Sequence, residues 1–201
     1  MLEILIATAN PHKAQEIAAL LPRLQVRFLT LSDFPSFSMP EENGSTLEEN
    51  AAIKARAAAA ASGHWAMADD TGLEVDALDG APGIRSARYS GADKDYPANN
   101  AKLLRELAGT PQDKRTARFR TVVALASPKG ELLSAEGKLE GSIVPEPRGG
   151  NGFGYDPLFL PQNSGKTLAE LAFEEKNRIS HRAVALRNAV ALIEKISLSG
   201  K

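Results

Sequence analysis

The sequence predicts an α/β fold in which a mixed β-sheet is flanked by helices. In the first half of the chain, short apolar runs alternate with helix-like segments, which is typical of parallel strands joined by helices. Further along, two strand-like segments follow each other directly, as in a hairpin. The apolar fraction of 43% and the charged fraction of 24% are those of an ordinary globular protein, and the length of 201 residues suits one such domain.

The chain opens with a predicted strand and a helix. Residues 2–7, LEILIA, form a short apolar run that indicates a buried strand. Asn10 and Pro11 then predict a helix start, because Asn is a good N-cap and Pro suits the first helical position. Apolar residues follow at helical spacing. Residues 24–34, LQVRFLTLSDF, indicate a second strand.

The next segment contains the strongest predicted helix. Residues 35–46 are rich in Pro, Gly and Ser and predict a loop. Thr46 and Glu49 then match a capping box at the start of an alanine-rich helix. Residues 64–75, HWAMADDTGLEV, predict a strand that ends in an acidic loop, and residues 95–107 predict a further helix.

The second half contains the predicted hairpin. Residues 115–127 alternate between apolar and polar side chains, and residues 130–144 are the expected partner strand. Residues 147–161, PRGGNGFGYDPLFLP, are too rich in glycine for a regular element. A short helix with its own capping box is predicted over residues 167–177, and the last helix is predicted from about Ser180.

Charge and composition argue against several function classes. The chain has 25 acidic and 24 basic residues, whereas nucleic-acid binders usually carry a basic excess. It has no cysteine, which excludes disulfides, thiolate zinc sites and a cysteine nucleophile, and its three histidines are far apart. The N-terminus has no basic leader, and no apolar run approaches the ~20 residues that span a bilayer. We therefore expect a cytoplasmic protein without nucleic-acid or membrane partners.

The first candidate site is the turn from Thr8 to Lys13. A helix N-terminus presents backbone N–H groups to an anion, and Lys13 is placed to reach a phosphate. The alternative is that Asn10 only caps the helix and Lys13 is a surface lysine. Two common nucleotide motifs are absent, because Leu160 and Tyr155 stand where a P-loop and a dinucleotide fingerprint each require glycine.

The second candidate site is acidic. Asp69 and Asp70 follow an apolar segment, and Glu41 and Glu42 lie in a loop that can meet them. Mg²⁺ prefers one or two carboxylates together with water and phosphate oxygens. Adjacent carboxylates also raise the pKa of one of them, which can produce a general base. The alternative is a set of solvated loop acids, and the sequence leaves open whether Asp69 shares the role of base.

The third candidate site is the glycine-rich segment GGNGFGYD. Glycines let the backbone approach a ligand closely, and Phe153 and Tyr155 can stack on a base. Asp156 can accept hydrogen bonds from ring N–H groups. The alternative is an ordinary loop whose aromatic side chains pack into the core.

The fourth candidate site is cationic. His181 and Arg182 stand at a helix N-terminus, where positive charge is unfavourable for the isolated helix, so an electron-rich ligand is expected there. Lys176 lies close by in sequence. The alternative is that His181 and Arg182 pair with Glu174 or Glu175 at the surface.

Together, these segments resemble the inosine triphosphate pyrophosphatase family, the RdgB/Ham1-like enzymes that remove non-canonical purine nucleotides. The resemblance spans nearly the whole chain and is carried by the motifs TANPHK, EENGSTLEENAAIKA, ADDTGLEVDALDGAPGIRSARYSG, FGYDPLF and EEKNRISHR. It implies a Mg²⁺-dependent nucleoside-triphosphate diphosphatase that hydrolyses ITP, dITP and XTP to the monophosphate and pyrophosphate. It also implies a homodimer and an elongated single α/β domain over residues 1–201, with two lobes around a central substrate cleft.

The resemblance also implies roles for individual residues. Glu41 and Asp70 match the metal ligands, and Asp70 is also the catalytic proton acceptor. The substrate contacts are Thr8, Ala9, Asn10, Pro11, His12, Lys13, Thr71, Phe153, Gly154, Tyr155, Asp156, Lys176, His181 and Arg182. Ala9 departs from the family, which usually has glycine there. A positive φ at that position would strain the loop.

These roles give a mechanistic hypothesis. Water oriented or deprotonated by a carboxylate attacks the α-phosphorus, and Arg182 with Lys176 or His181 donates to the purine 6-oxo group. The amine of adenine would face these donors, a mismatch worth up to ~10⁴ in discrimination. Guanine also has a 6-oxo group, so its 2-amino group must be rejected by another feature, either Asp156 or the shape of the pocket. The alternatives are a haloacid-dehalogenase-like phosphatase, whose Asp-x-Asp spacing is absent, and a non-catalytic nucleotide-binding protein.

Overall fold

The computed structural model describes residues 1–21, 24 and 26–199, and these residues form the predicted α/β fold. The strands are β1 (Leu2–Ile6), β2 (Val26–Leu29), β3 (Trp65–Val75), β4 (Pro82–Gly83), β5 (Thr116–Ala126), β6 (Leu132–Ile143) and β7 (Phe159–Pro161). The helices are α1 (Pro11–Leu20), α2 (Leu47–Ser62), α3 (Tyr96–Glu106), α4 (Phe173–Ile179) and α5 (His181–Ser199). The second predicted strand included residue 25, which lies outside the described residues.

The sheet is mixed, as predicted. Within the described part of the chain it has seven strands, with the order β2-β1-β3-β5-β6-β7 and with β4 paired to β3. Strand β1 runs parallel to β2 and to β3, so Leu5 lies opposite both Leu29 and Ala66. The pairs β3–β4 and β6–β7 are antiparallel. Parallel pairing in the first half arises because each early strand is followed by a helix that returns the chain.

Strand β3 does not end at the acidic pair, and the predicted acidic loop is wrong. The strand continues through Asp69 and Asp70 to Val75. Its first part pairs with β1, where Met67 lies opposite Ile6, and its last part pairs with β4, where Leu73 lies opposite Gly83. Backbone pairing on both sides of the aspartates keeps them extended, although Asp is depleted in strands. Asp69 and Asp70 therefore lie in mid-strand.

The prediction of one continuous helix over residues 167–177 is also wrong, because the structure has two separate helical segments there. The Thr167 N–H donates to Glu170 Oε2 at 2.7 Å and caps one 3-10 turn. The Ala172 N–H donates to Glu175 Oε2 at 2.9 Å and begins α4. Two glutamates thus cap two successive helical segments, and the extended backbone between them separates the 3-10 turn from α4.

The first two helices begin at the predicted caps. Asn10 Oδ1 accepts a hydrogen bond from the His12 N–H at 3.0 Å, and Thr46 Oγ1 accepts one from the Glu49 N–H at 3.1 Å. The carboxylate of Glu49 accepts from the Ser45 N–H at 2.6 Å, one residue earlier than in a standard capping box. Local side-chain chemistry therefore sets both helix starts.

The Thr46 cap gives a stability prediction. The variant Thr46→Ala should lower the free energy of unfolding by about 1 kcal/mol, because the Glu49 N–H loses its acceptor at the exposed end of α2. Urea denaturation followed by circular dichroism measures this change. An unchanged denaturation midpoint would show that Thr46 does not cap α2.

The chain forms two compact units. The first comprises Met1–Asp70, Thr121–Gly137 and the chain from Arg182 onward, and the second comprises Thr71–Arg120 and Lys138–His181. Each has its own apolar core, which includes Ile4, Met67, Leu125 and Leu186 in the first unit, and Leu73, Leu103, Phe119 and Phe159 in the second. Among the described residues, no helix combines the length and the apolar character of a membrane-spanning segment. A single domain with two lobes around a cleft stays a prediction.

Candidate active site

The predicted phosphate loop of the first unit is a turn between β1 and α1. Thr8 Oγ1 accepts a hydrogen bond from the Asn10 N–H at 3.2 Å, and Asn10 in turn caps α1. Ala9, Pro11 and His12 are exposed. Among the described residues, positive φ at non-glycine positions occurs only at Asp79, Lys94 and Asn163, so Ala9 causes no strain of that kind.

Asp69 lies in a buried ion-pair network. Its Oδ2 is 2.9 Å from Lys13 Nζ of α1 and 3.2 Å from Arg182 Nε of α5. Burial alone would raise the pKa of Asp69, but the charges of Lys13 and Arg182 outweigh it and hold that pKa well below its usual range. Burial also lowers the pKa of Lys13. Asp69 is therefore a permanently charged partner for two cations and is poorly suited to accept a proton.

Asp70 lies in a different cluster, because neighbouring residues of a strand point to opposite faces. Its Oδ1 accepts a hydrogen bond from Lys54 Nζ at 2.8 Å, and the same Nζ is 3.0 Å from Glu42 Oε2. Burial raises the pKa of Asp70, against the opposing effect of Lys54. Burial also opposes ionisation of Glu42, but Lys54 outweighs it and lowers the pKa of Glu42. Of the two aspartates, Asp70 has the more basic carboxylate.

Glu42, not Glu41, is the glutamate of this loop that lies beside Lys54 and Asp70. Glu41 is exposed, whereas Glu42 is half-buried and paired with the ammonium of Lys54. The geometry therefore gives Glu41 no contact with Asp70 and places its neighbour there. The two glutamates are adjacent and chemically identical, so the sequence pattern could not separate them.

Lys54 was missed by the sequence analysis. It is only 4% exposed, although it carries a charge, and it lies in an alanine-rich helix. Burial would lower its pKa, but Asp70 and Glu42 outweigh burial and raise it. A signal was present: Leu47, Asn50, Ala51, Lys54, Ala55 and Ala58 share the buried face of α2. A lysine at a core position of a helix requires a buried partner.

Arg182 is 1% exposed and does not pair with Glu174 or Glu175. It donates to Asp69 and to the buried carboxylate of Glu16, which α1 contributes. Burial would lower the pKa of Arg182, but Asp69 and Glu16 outweigh it and raise that pKa. The structure therefore places Arg182 beside the acidic pair in the first unit.

The glycine-rich segment of the second unit forms a second polar cluster. Asp156 Oδ2 accepts hydrogen bonds from the Phe153 N–H at 2.9 Å and from Lys176 Nζ at 2.6 Å. The ammonium of Lys176 also lies over the Phe153 ring, 4.9 Å from its centroid. Gly152 has a φ of +76°, and a Cβ there would be 2.0 Å from Asp156 Oδ2. This glycine lets the turn close around the Asp156 carboxylate.

The other predicted residues of the second unit have different surroundings. Tyr155 is buried and its hydroxyl donates to the Ser86 carbonyl at 3.0 Å, while the Gly154 carbonyl accepts from Asn100 Nδ2 at 3.1 Å. His181 is buried and stacks on Phe119, with ring centroids 4.5 Å apart. Thr71, next to Asp70 in β3, is half-buried. Tyr155 and His181 therefore pack into the unit, as an ordinary core would require, whereas Lys176 pairs with Asp156.

The first unit has the residues for a divalent cation. The described residues contain no group of three or more His, Cys, Asp or Glu side chains placed to hold a metal. They do contain two carboxylate oxygens, from Glu42 and Asp70, that both lie within 3.0 Å of one cationic nitrogen. Mg²⁺ commonly takes one or two carboxylates and fills its remaining positions with water and phosphate oxygens. This donor pair fits such an ion.

The chain is similar to known proteins over nearly its whole length. The model of the Ham1 family matches residues 4–192. A dITP/XTP pyrophosphatase from Elusimicrobium minutum is 56% identical over 92% of this chain and 95% of its own length. A dITP/XTP pyrophosphatase from Desulforamulus reducens is 50% identical over 97% of both chains.

Solved structures are similar in fold as well. A HAM1 protein from Coxiella burnetii superposes with a TM-score of 0.89 and 42% identity, covering 97% of this chain and all of its own. A nucleoside-triphosphatase, dITP/XTP pyrophosphatase, from Mycobacterium abscessus has a TM-score of 0.78 and 44% identity over 92% of this chain and 97% of its own.

Proposed function

Because this chain belongs to the Ham1 family, we propose that it hydrolyses non-canonical purine nucleoside triphosphates to the monophosphate and pyrophosphate. Its relatives are named dITP/XTP pyrophosphatases, and the match covers nearly all of this chain and of theirs. The substrates are dITP, XTP and ITP, which share a 6-oxo purine. The reaction removes these nucleotides from the pool used for nucleic-acid synthesis.

One observation carries the proposal: Glu42 and Asp70 converge on the ammonium of Lys54 in the first unit. Lys13 lies half-buried beside Asp69, and a lysine in this position suits a polyphosphate. A protein that only binds a nucleotide does not require a buried carboxylate with a raised pKa. Such groups cluster at catalytic sites.

We assign the proton-accepting role to Asp70 alone. Its raised pKa brings it closer to the range of a useful base, whereas Lys13 and Arg182 keep Asp69 ionised. Asp70 orients or deprotonates the water that attacks the α-phosphorus. Lys13 and Lys54 hold phosphate oxygens and offset the charge that develops as pyrophosphate leaves. The main contribution of these residues is positioning and electrostatic stabilisation.

We propose Mg²⁺ as the cofactor, held by Glu42 and Asp70 in place of the Glu41–Asp70 pair expected from the sequence. When bound, Mg²⁺ supplies charge neutralisation to the triphosphate oxygens. Lys54, already paired with both carboxylates, keeps them close together before the ion arrives. The exposed Glu41 has no part in this proposal.

We propose that the second unit recognises the base. Phe153 offers an aromatic face, and Lys176, held by Asp156, donates to the 6-oxo group. An ammonium has three N–H donors, so Lys176 can keep Asp156 while it donates to a ligand. The exocyclic amine of adenine would meet a donor at the same position and be rejected. In this proposal Arg182 positions Asp69, and His181 supports the second unit by its packing on Phe119.

A product assay over several nucleotides tests the function. With Mg²⁺ present, we expect dITP, XTP and ITP to give pyrophosphate and the monophosphate, and dATP to react slower by up to about 10⁴-fold. Orthophosphate as the first product would indicate a phosphatase, and the absence of product would indicate a binding protein. Ion chromatography separates the three results.

Removal of divalent cations gives a further prediction. Addition of EDTA should abolish the hydrolysis of dITP, and excess Mg²⁺ should restore it, because Glu42 and Asp70 provide oxygen ligands of the type that Mg²⁺ prefers. Addition of Ca²⁺ or Na⁺ at equal ionic strength serves as the control. Full activity in EDTA would contradict the assignment of these carboxylates.

The resemblance also leads us to propose a cytoplasmic homodimer. The absence of cysteine is compatible with a reducing compartment. Analytical ultracentrifugation at micromolar concentration tests the dimer. A monomer at these concentrations would contradict it.

A further inference from the structure

Asn50 is a fully buried polar residue that none of the roles above uses. It lies on α2, is 0% exposed, and stands one helical turn before Lys54 on the same face of the helix. The buried face of α2 therefore carries two polar side chains inside the first unit. Lys54 holds Glu42 and Asp70, which leaves the contacts of Asn50 to be explained.

Asn50 is hydrogen-bonded to the loop that carries Glu42. Its Oδ1 accepts a hydrogen bond from the Gly44 N–H at 2.8 Å. Gly44 follows Glu42 by two residues, so this contact fixes the backbone close to the glutamate. Only a short stretch of chain remains free to move between the Gly44 amide and the Glu42 carboxylate.

Close packing at Gly44 supports the same contact. A Cβ on Gly44 would lie 2.7 Å from Asn50 Oδ1 and 2.7 Å from Glu49 Cβ, closer than a carbon atom can approach either. The φ of Gly44 is not positive, so the lack of space and not backbone strain requires glycine. The loop is pressed against the first turn of α2 at the point where Asn50 holds it.

The choice of an amide is informative. The Nδ2 of Asn50 is buried and has no hydrogen-bond partner among the described residues, so half of the side chain is unsatisfied. An aspartate would accept the same hydrogen bond and would have no unsatisfied N–H donor, but it would add a negative charge close to Glu42 and Asp70. Asparagine supplies the acceptor and leaves the charge of the cluster unchanged.

We propose that Asn50 is a positioning residue that holds Glu42 beside Lys54 and Asp70, and thereby sets the affinity of the first unit for a divalent cation. This inference rests on the proposed function, because it assumes that the Glu42–Asp70 pair binds the ion. Residues that hydrogen-bond to metal ligands without contacting the metal typically contribute 10- to 100-fold to metal affinity. Asn50 acts through the backbone of the loop and not by contact with the ion.

The test measures metal binding directly. Mn²⁺ replaces Mg²⁺ as the probe, and its dissociation constant is determined by electron paramagnetic resonance for the wild type, Asn50→Ala, Gly44→Ala and Thr46→Ala. We expect Asn50→Ala and Gly44→Ala each to weaken Mn²⁺ binding by about 10-fold. Thr46→Ala is the matched control, because it removes a hydrogen bond from the same helix end without releasing Gly44, and it should stay within about twofold of the wild type.

Hydrogen exchange provides the second readout. The Gly44 amide should exchange faster in Asn50→Ala than in Thr46→Ala. The inference is overturned if Asn50→Ala and Gly44→Ala bind Mn²⁺ as tightly as Thr46→Ala, or if exchange at Gly44 is unchanged. Should Asn50→Ala fail to fold, Gly44→Ala alone decides. Failure of the proposed function looks different, since the wild type itself would then bind no Mn²⁺ or form no pyrophosphate.

Discussion

Replacing Asp70 with asparagine is expected to lower kcat for dITP hydrolysis by about 10³-fold, the size of a lost general base. Asparagine has nearly the same shape and can still accept from Lys54, but it cannot take a proton and is a weaker Mg²⁺ ligand than a carboxylate, so kcat is measured at saturating Mg²⁺. The fold should be little affected. Burial raises the pKa of Asp70, so its charge is unfavourable in the folded protein, and Lys54 keeps Glu42 as a partner. Steady-state kinetics and urea denaturation measure the two effects.

The variant Asp69→Asn is the control. We expect it to affect the stability of the fold more than kcat. Burial works against the charge of Asp69, but Lys13 and Arg182 outweigh it and lower its pKa, so the ionised form stabilises the folded state. Asparagine removes that charge and leaves two buried cations with less compensation. We expect a clear loss of stability in Asp69→Asn. A folded, inactive Asp69→Asn beside an active Asp70→Asn would reverse our assignment of the base.

Replacing Arg182 with alanine is expected to lower the free energy of unfolding by about 3–5 kcal/mol, the typical cost of removing one partner from a buried ion pair. Arg182 is 1% exposed and pairs with both Glu16 and Asp69. Its removal leaves two carboxylates in the interior with reduced compensation. Urea denaturation of the single variants Arg182→Ala and Glu16→Ala and of the double variant measures their coupling.

This prediction separates two roles for Arg182. If Arg182 is held in the buried ion-pair network, the double variant should lose less stability than the sum of the two single variants, because each single change leaves a buried charge with reduced compensation. If Arg182 instead donates to the purine, as the sequence suggested, Arg182→Ala should unfold like the wild type and lose its preference for dITP over dATP. That result would contradict the position of Arg182 beside Asp69.

Helix starts and strand positions could be predicted because they depend on neighbouring residues. Asn10 before Pro11 and Thr46 before an alanine-rich run each carry their own capping chemistry. The run LEILIA is apolar apart from Glu3 because β1 is paired on both sides within the sheet. Such signals need no knowledge of the rest of the fold.

The two errors have different causes. The sequence DDTG resembles the end of a strand, yet β3 continues because β4 pairs with its second half. The helix predicted over residues 167–177 divides because Glu170 and Glu175 both act as caps. A strand elsewhere in the sheet decided the first case, whereas hydrogen bonds between residues three apart decided the second.

The types of residue in the site could be predicted from the sequence, but not which of them pair with each other. Lys13 and Asp70 were identified and Glu42 was named together with Glu41, but the roles of Lys54 and Glu16 depend on which helix faces which strand. Lys54 lies inside the motif EENGSTLEENAAIKA, and its helical spacing indicates a buried position. Its carboxylate partners are a property of the packed unit, and a sequence read one segment at a time does not contain them.

The most direct test of the central claim is hydrolysis of dITP in ¹⁸O-labelled water, with the products analysed by mass spectrometry. The claim is that Asp70 directs water to the α-phosphorus of a 6-oxo purine triphosphate. We predict one ¹⁸O atom in the monophosphate and none in the pyrophosphate. Label in the pyrophosphate, or release of labelled orthophosphate, would place the attack on another phosphorus and contradict the claim.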